Sequence, residues 1–308
     1  MKPLHMITGA FGLTGRHIAA RLLAMGMPVR TLTNTRATED PFGGRVAAYP
    51  LCFDRPDTLA RHLEGVEVLY NTYWVRFDHA RFTHEEAVKN TRILFEAARR
   101  AGVKRIVHVS ITHPDIASPL PYFRGKAQLE EALAGSGIPH AILRPTVLFG
   151  GTAILLNNIA WMLRRFPVFG VFGDGNYKLQ PIHVDDLAAL AVGQATGREA
   201  GGNTCINATG PETFTFRELV RAIGTATGRD RPLISIHPEI GLAVGRLCSL
   251  FLNDVLITRE EIRGLMAGLL ATETPATGTT RLTDWLATHG ATLGQKYASE
   301  LARRRQRR

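Results

Sequence analysis

The chain has 308 residues, 45% of them hydrophobic and 21% charged, with a formal charge of +10. This length admits one large domain or two modest ones, and the composition is that of an ordinary globular protein with a buried core. The longest apolar run, Ile240 to Leu252, is broken by Arg246 and is too short to cross a bilayer, and three scattered cysteines make neither a disulfide framework nor a zinc site.

In chain order, short β-type runs alternate with helix-type stretches. Leu4–Thr8 reads as a buried strand, and Ile18, Leu22 and Met25 give Arg16–Met25 a helical apolar spacing that Gly26 ends. "PVRTLT" is a second strand, "PDTLARHLEG" a short helix and "VEVLYN" the next strand. Thr83 with Glu86 forms a capping box for a helix reaching Arg100. "KRIVHVS", "YFRGKAQLEEALAGSG" and "HAILRP" continue the alternation as strand, helix and strand. Repeated βαβ units predict an α/β fold, a doubly wound parallel sheet covered on both faces.

Beyond Phe149 the rhythm changes to an aromatic, glycine-rich stretch, and "LQPIHVDDLAALAVGQAT" reads as a return to the sheet. The later elements are mostly helical, with capping boxes at Thr215–Glu218 and Thr258–Glu261. The expected organisation is a nucleotide-sized domain over 1–150 rejoined by 179–208. A smaller lobe takes 151–178 and 209–300, and a basic solvated tail takes 301–308.

Only six of the 37 basic residues are lysines, and five arginines lie within residues 303–308. Charge concentrated in such a tail, without a basic helix or interleaved aromatics, argues against a specific nucleic-acid partner. The N-terminal residues run straight into a glycine turn rather than a signal pattern. The expectations are a cytoplasmic protein with a small-molecule substrate and no membrane partner, a homodimer being allowed.

The stretch "MITGAFGLTG" sets Gly9, Gly12 and Gly15 three residues apart, between a strand and a helix. Helix N-termini present free N–H groups and the positive end of the dipole, and glycines let a pyrophosphate approach the backbone. Gly9, Phe11, Gly12, Leu13 and Gly15 are therefore cofactor-binding candidates. At the end of the second strand, where NAD enzymes usually place an acid, the chain has Thr33, Asn34, Thr35 and Arg36. A guanidinium beside amide and hydroxyl groups suits a 2′-phosphate, so the expected cofactor is NADP, with NAD as the alternative. "YFRGK" spaces Tyr122 and Lys126 one helical turn apart, where an ammonium would favour phenolate and ready the phenol for proton transfer. Ser110 and Thr112 are candidates for a hydroxyl that steadies the substrate oxygen, with Ser118 a weaker third.

"TGAFGLTG", "FDRPDTL", "NTRILFEAARRAGVKRIVHVS", "YFRGK", "ILRPTVLFG" and "PIHVDDLA" occur in an order that resembles the extended or atypical branch of the short-chain dehydrogenase/reductase superfamily. The resemblance covers roughly residues 4 to 225. It implies that Asp54 meets the adenine amine, that Asn71 and Thr72 line the ribose, and that Pro145 and Thr146 face the nicotinamide. His183, Asp185 and Asp186, which could pass for a metal cluster, are by the same resemblance a helix cap tying two lobes together, and no metal is expected. His108 and Asn90 are expected to satisfy buried backbone, and Trp74, Trp161, Phe166 and Phe169 to be core or pocket lining. The leading expectation is an NADP-dependent oxidoreductase acting on a small, largely apolar carbonyl or alcohol. A nucleotide-sugar epimerase or dehydratase is the second reading, weakened because Leu179 stands where such enzymes typically place an arginine before the histidine. A non-catalytic nucleotide sensor or assembly subunit is the third.

Overall fold

The computed structural model describes residues 2–34, 40–78, 82–197 and 201–305. Two compact units emerge: the first holds 1–145 and 187–207, the second 146–186 and 208–305.

In chain order, the first stretch comprises β1 (Leu4–Thr8), α1 (Leu13–Ala24), β2 (Val29–Leu32), β3 (Val46–Tyr49) and α2 (Pro56–His62). It continues with β4 (Val66–Asn71), α3 (His84–Arg100), β5 (Arg105–Val109), α4 (Pro121–Ala134) and β6 (His140–Pro145). The chain then forms β7 (Leu148–Phe149), α5 (Ile154–Arg165), β8 (Phe169–Phe172), β9 (Lys178–Leu179), β10 (Ile182–His183) and α6 (Val184–Thr196). β11 (Thr204–Ala208) is followed by β12 (Phe214–Thr215), α7 (Phe216–Ala226), β13 (Leu233–Ile236), α8 (Pro238–Leu252), α9 (Arg259–Met266), α10 (Leu282–His289) and α11 (Glu300–Arg305).

Seven strands form the sheet of the first unit in the order β11-β6-β5-β4-β1-β2-β3, and every pairing among β1 to β6 is parallel. The order reverses between β1 and β4, which is where an open α/β sheet leaves a crevice at the carboxyl ends of its strands. Strands sandwiched by helices read as near-continuous apolar runs. Accordingly Met6, Leu69 and Ile106 are buried with Leu94, Leu129 and Leu133 from the covering helices. β3 is absent from the expected elements because its alanine-rich sequence, VAAY, carries little of the β-branched signal that marks strands. α1 starts at Leu13, three residues ahead of the expected Arg16.

The second unit pairs its short strands as ribbons, β7 with β10, β9 with β12, and β8 with β13, around a core that includes Phe149, Ile159, Val171, Leu219 and Ile223. Residues 179–183, read from sequence as part of the return to the sheet, stay in this unit because β9 and β10 pair there, and the return begins at 187. Capping boxes stand at Thr215–Glu218 and Thr258–Glu261. Residues 300–305 are helical, and the Asp254 carboxylate accepts the backbone N–H groups of Glu300 and Leu301.

Candidate functional site

The glycine turn lies at the carboxyl end of β1. Gly9 has φ +72°, a conformation that side chains rarely adopt. A Cβ on Gly15 would lie 2.3 Å from the Gly9 carbonyl oxygen, so helix and turn can meet only with glycine there. Backbone bonds lock the loop: the Gly9 N–H donates to Leu32 O and the Gly12 N–H to Gly9 O, both at 2.9 Å. Thr31 contributes its hydroxyl, which accepts from the Ala10 N–H and donates to Ile7 O. Gly12 caps α1 without a side chain, and the first turn of α1 carries no acid. An uncapped helix start, free of negative charge and bared of Cβ atoms, fits a nucleotide diphosphate.

β1 and β4 are stitched together beside the turn. The Thr8 hydroxyl accepts the Thr72 N–H at 2.7 Å, and the Thr72 hydroxyl donates to Thr8 O at 2.5 Å. Asn71 is fully buried; its Oδ1 accepts from Thr8 and from the Tyr73 N–H, and its Nδ2 lies 3.0 Å from His108 Nδ1. Asn71 therefore ties β1, β4 and β5 together, and Thr72 is the residue of the pair beside the turn. His108 bonds this side chain rather than backbone, and burial keeps its pKa well below the usual histidine value. Asn90 likewise donates to the Tyr73 hydroxyl rather than to backbone.

Asn34 pins the β2–β3 connection by accepting the Leu51 N–H at 2.8 Å, and Asp54 is exposed beside Arg55. Phe11 packs near Phe42, with ring centroids 6.3 Å apart. Arg36, the candidate for the 2′-phosphate, lies within residues 35–39, outside those described.

The first turn of α4 carries the candidate chemistry. Pro121 opens the helix, Tyr122 is half-buried and Lys126 is buried. Lys126 Nζ donates to Val109 O at 2.8 Å and lies 4.4 Å from the centroid of the Trp74 ring. Burial pulls its ammonium down to about 7, partly opposed by the nearby Glu130 carboxylate. Trp74 can settle here because position 125 is glycine: a Cβ would stand 2.9 Å from Cη2 of the indole. The Trp74 and His84 rings pack edge-on to Tyr122, at 5.5 and 5.6 Å between centroids, and His84 Nδ1 lies 2.7 Å from Asp78. Sequence reasoning left Trp74 as either core or pocket lining and missed His84, Asp78 and Gly125 as neighbours of the tyrosine–lysine pair.

Ser110 and Thr112 are placed differently. The Ser110 hydroxyl donates to Glu130 Oε1 at 2.5 Å, and Glu130 in turn accepts from Arg144 through Nη2 at 2.5 Å and Nε at 3.0 Å. Ser110 is thus committed to a lock among β5, α4 and β6. Thr112 is buried, with its N–H donating to Pro145 O at 3.2 Å. Ser118 accepts the Leu120 N–H at the start of α4.

In the second unit, the buried Thr146 donates its hydroxyl to Gln180 O. His183 Nδ1 accepts the Asp185 N–H, while Asp186 accepts the N–H groups of Thr279 and Thr280. Among the described residues, no group of three or more histidine, cysteine or acidic side chains is arranged to hold a metal. Leu179 is fully buried in the apolar core of this unit. Trp161 stacks edge-on against Phe166 and Tyr297, and Phe169 is core.

Residues 9–156 match the family model described as NAD(P)H-binding. Subunit 9 of the NADH dehydrogenase [ubiquinone] 1 alpha subcomplex from Arabidopsis thaliana is 26% identical over 223 residues, 69% of this chain and 55% of its own length. A Streptomyces griseus (4-alkanoyl-5-oxo-2,5-dihydrofuran-3-yl)methyl phosphate reductase is 26% identical over 230 residues, 73% of this chain and 74% of its own. Triphenylmethane reductase of Citrobacter sp., solved with NADP(H), superposes with TM-score 0.74 at 17% identity, covering 93% of this chain and 99% of that one. The chain thus spans little more than half of the plant subunit it matches. Residues 9–156 thus carry an NAD(P)H-binding domain, and the likeness to solved epimerases and reductases shows the Rossmann-like fold. No helix among the described residues is long and apolar enough to cross a membrane.

Proposed function

We propose that the chain is an NADP-dependent oxidoreductase acting on a small, largely apolar carbonyl or alcohol. The observation that carries this reading is the buried Lys126 one turn along α4 from Tyr122, with Trp74 laid across it. The bound nicotinamide supplies or accepts the hydride. The glycine turn and the N-terminus of α1 would hold the diphosphate, and Thr72 the adjoining ribose.

Tyr122 passes a proton between its hydroxyl and the substrate oxygen, which in the reducing direction becomes the alcohol O–H. Lys126 has three N–H donors and no acceptor. One donor is spent on Val109 O, which orients the amine, and the others are left for the ribose and the phenol. Trp74 shields the ammonium from water and strengthens its field. With Ser110 committed to Glu130, Thr112 is the better candidate for the hydroxyl that steadies the substrate oxygen.

NADPH and NADH affinities, with turnover over a panel of apolar ketones and alcohols, test the reading. NADPH should bind more tightly, and Arg36→Ala should lose that preference while leaving NADH affinity nearly unchanged. Tyr122→Phe should keep NADPH binding and lose about 10²–10⁴-fold in turnover. Near-normal turnover in that variant would leave α4 as scaffold.

A second reading rests on the likeness to the plant NADH dehydrogenase subunit: an NAD(P)H-binding assembly subunit without turnover. Tight NADPH binding with no reaction on any of the panel would favour it. The sugar-nucleotide reading is disfavoured by Leu179, whose buried side chain offers no charge to a diphosphate.

A further inference from the structure

Trp74 carries a hydrogen-bond donor that the fold leaves unused. Its Nε1 is buried, and among the described residues it has no hydrogen-bond partner. An indole N–H can only donate, and burying it without an acceptor costs free energy, so such a group calls for an explanation. Its chain neighbours are satisfied. The Thr72 N–H and hydroxyl are both bonded to Thr8, the Tyr73 N–H donates to Asn71, and the Tyr73 hydroxyl accepts from Asn90.

The donor belongs to the cluster that holds the proposed chemistry. The indole packs edge-on to Tyr122, with 5.5 Å between ring centroids, and its centroid lies 4.4 Å from Lys126 Nζ. The indole atoms nearest a Cβ at position 125 are Cη2 at 2.9 Å and Cζ2 at 3.5 Å. Cζ2 lies on the same edge of the ring as Nε1, so the edge that carries the N–H is the one turned to α4. It meets that helix at Gly125, between Tyr122 and Lys126 in the chain.

A carbonyl oxygen has two lone pairs to offer. In the proposed reaction those of the reacting oxygen face Tyr122 and Thr112, since Ser110 is committed to Glu130. The Trp74 N–H is then a donor for a different oxygen. We infer that Trp74 is a specificity-determining residue whose indole N–H binds a second carbonyl oxygen of the substrate. The inference rests on the proposed reaction for the place of the substrate beside Tyr122. It narrows the substrate class from small apolar carbonyls in general to dicarbonyl compounds, keto esters among them. The spacing of the two rings keeps the second oxygen within a few bonds of the first. A compound without that oxygen leaves the N–H buried and unpaired, the situation in which a hydrogen-bonding site discriminates most strongly.

Reduction of ethyl acetoacetate and of methyl butyl ketone, which has a single oxygen, tests this by the ratio of their kcat/KM values. Trp74→Phe removes the donor and keeps a ring beside Lys126. The ratio should fall by about tenfold or more in this variant. Lost shielding of Lys126 lowers both substrates alike, so the ratio reports the N–H. Benzothienylalanine at position 74, with sulfur in place of the N–H, should give the same fall if phenylalanine disturbs the packing. Binding is read separately from the indole N–H proton resonance of Trp74, identified by its absence in Trp74→Phe. It should move downfield when ethyl acetoacetate joins NADP⁺ and stay in place with methyl butyl ketone. Turnover with an unchanged ratio overturns the inference and leaves the reaction standing. The downfield shift without turnover of either compound overturns the reaction and leaves the donor role standing. A resonance that ethyl acetoacetate does not move, or that moves with the nucleotide alone and no further, overturns the inference.

Discussion

Helices α4 and α8 each press a glycine against an aromatic ring, Gly125 against Trp74 and Gly241 against Phe172. Glycine inside a helix costs about 1 kcal/mol against alanine, so both close approaches have a price. The outcomes differ. In α4 the approach brings an indole over Lys126 and takes a charge out of water; in α8 it brings the helix backbone close to its ribbon and leaves the large side chains outside. The rest of the molecule follows the same division. Of the nine large apolar side chains exposed among the described residues, seven fall in the second unit. The same local device buries a lysine in one unit and exposes apolar surface in the other.

The largest effect that would sharpen this contrast comes from Lys126. Its folded pKa, about 7, lies below that of an unfolded lysine. The unfolded chain therefore binds the extra proton between about 7 and 10, and stability rises with pH across that window. Below about 7 the full penalty of charging a buried amine is present. Lys126→Met should raise the stability of the nucleotide-free protein at pH 6 by several kcal/mol, on the order of 3–5. It should also flatten stability between pH 7 and 9 and abolish turnover. Denaturant melts across pH 6–9 check this, short of the alkaline range where buried Tyr70 and half-buried Tyr73 and Tyr177, all with raised pKa, begin to oppose the trend.

Next in size is Arg144→Ala, which strands Glu130 in a buried position. Breaking a buried pair costs about 3 kcal/mol at the low end of its range, the end that applies because Arg144 is a third exposed. Chemical denaturation should show that loss, while the glycine turn still binds NADPH in the folded fraction.

Gly241→Ala forces a methyl into the Phe172 ring, and overpacking of this kind costs about 1–3 kcal/mol, offset in part by alanine's better helix propensity. Equal stability of variant and parent in thermal melts would mean that α8 lifts off without cost and that its inward glycines are incidental. The smallest effect belongs to Ser110→Ala, about 1 kcal/mol of stability with turnover retained. Thr112→Ala should do the reverse. A turnover loss confined to Ser110→Ala would restore the serine to the reaction.

Much of the first unit was legible in the sequence because its signals are local. The glycine turn, each βαβ unit and the Tyr122–Lys126 spacing are each read from residues close together in the chain. What escaped was assembled from distant segments. Ser110 looks like a reacting hydroxyl until Glu130, twenty residues on, accepts its hydrogen bond, and Asn71 looks like a ribose ligand until Thr8 and His108 claim its amide. Trp74 and Asp78 come from the connection between β4 and α3, whose sequence has no period to announce a pocket wall, and His84 opens α3. In α8 the apolar run was visible, but its outward orientation depends on two glycines finding Phe172 and Ile257.

The discontinuity of the first unit has a consequence for the nascent chain. β6 ends at Pro145, yet the strand beside it, β11, is synthesised about sixty residues later. Arg105, buried on β5, donates to the carbonyls of Gln194 and Gly202, and the His140 N–H donates to the Asn203 side chain. While the intervening segment leaves the ribosome, β6 stands as an open edge and Arg105 lacks its acceptors, a state exposed to strand-pairing errors. A polypeptide ended near residue 150 would keep the nucleotide turn and still be an aggregation-prone fragment, whereas release of β11 closes the sheet in a single late step.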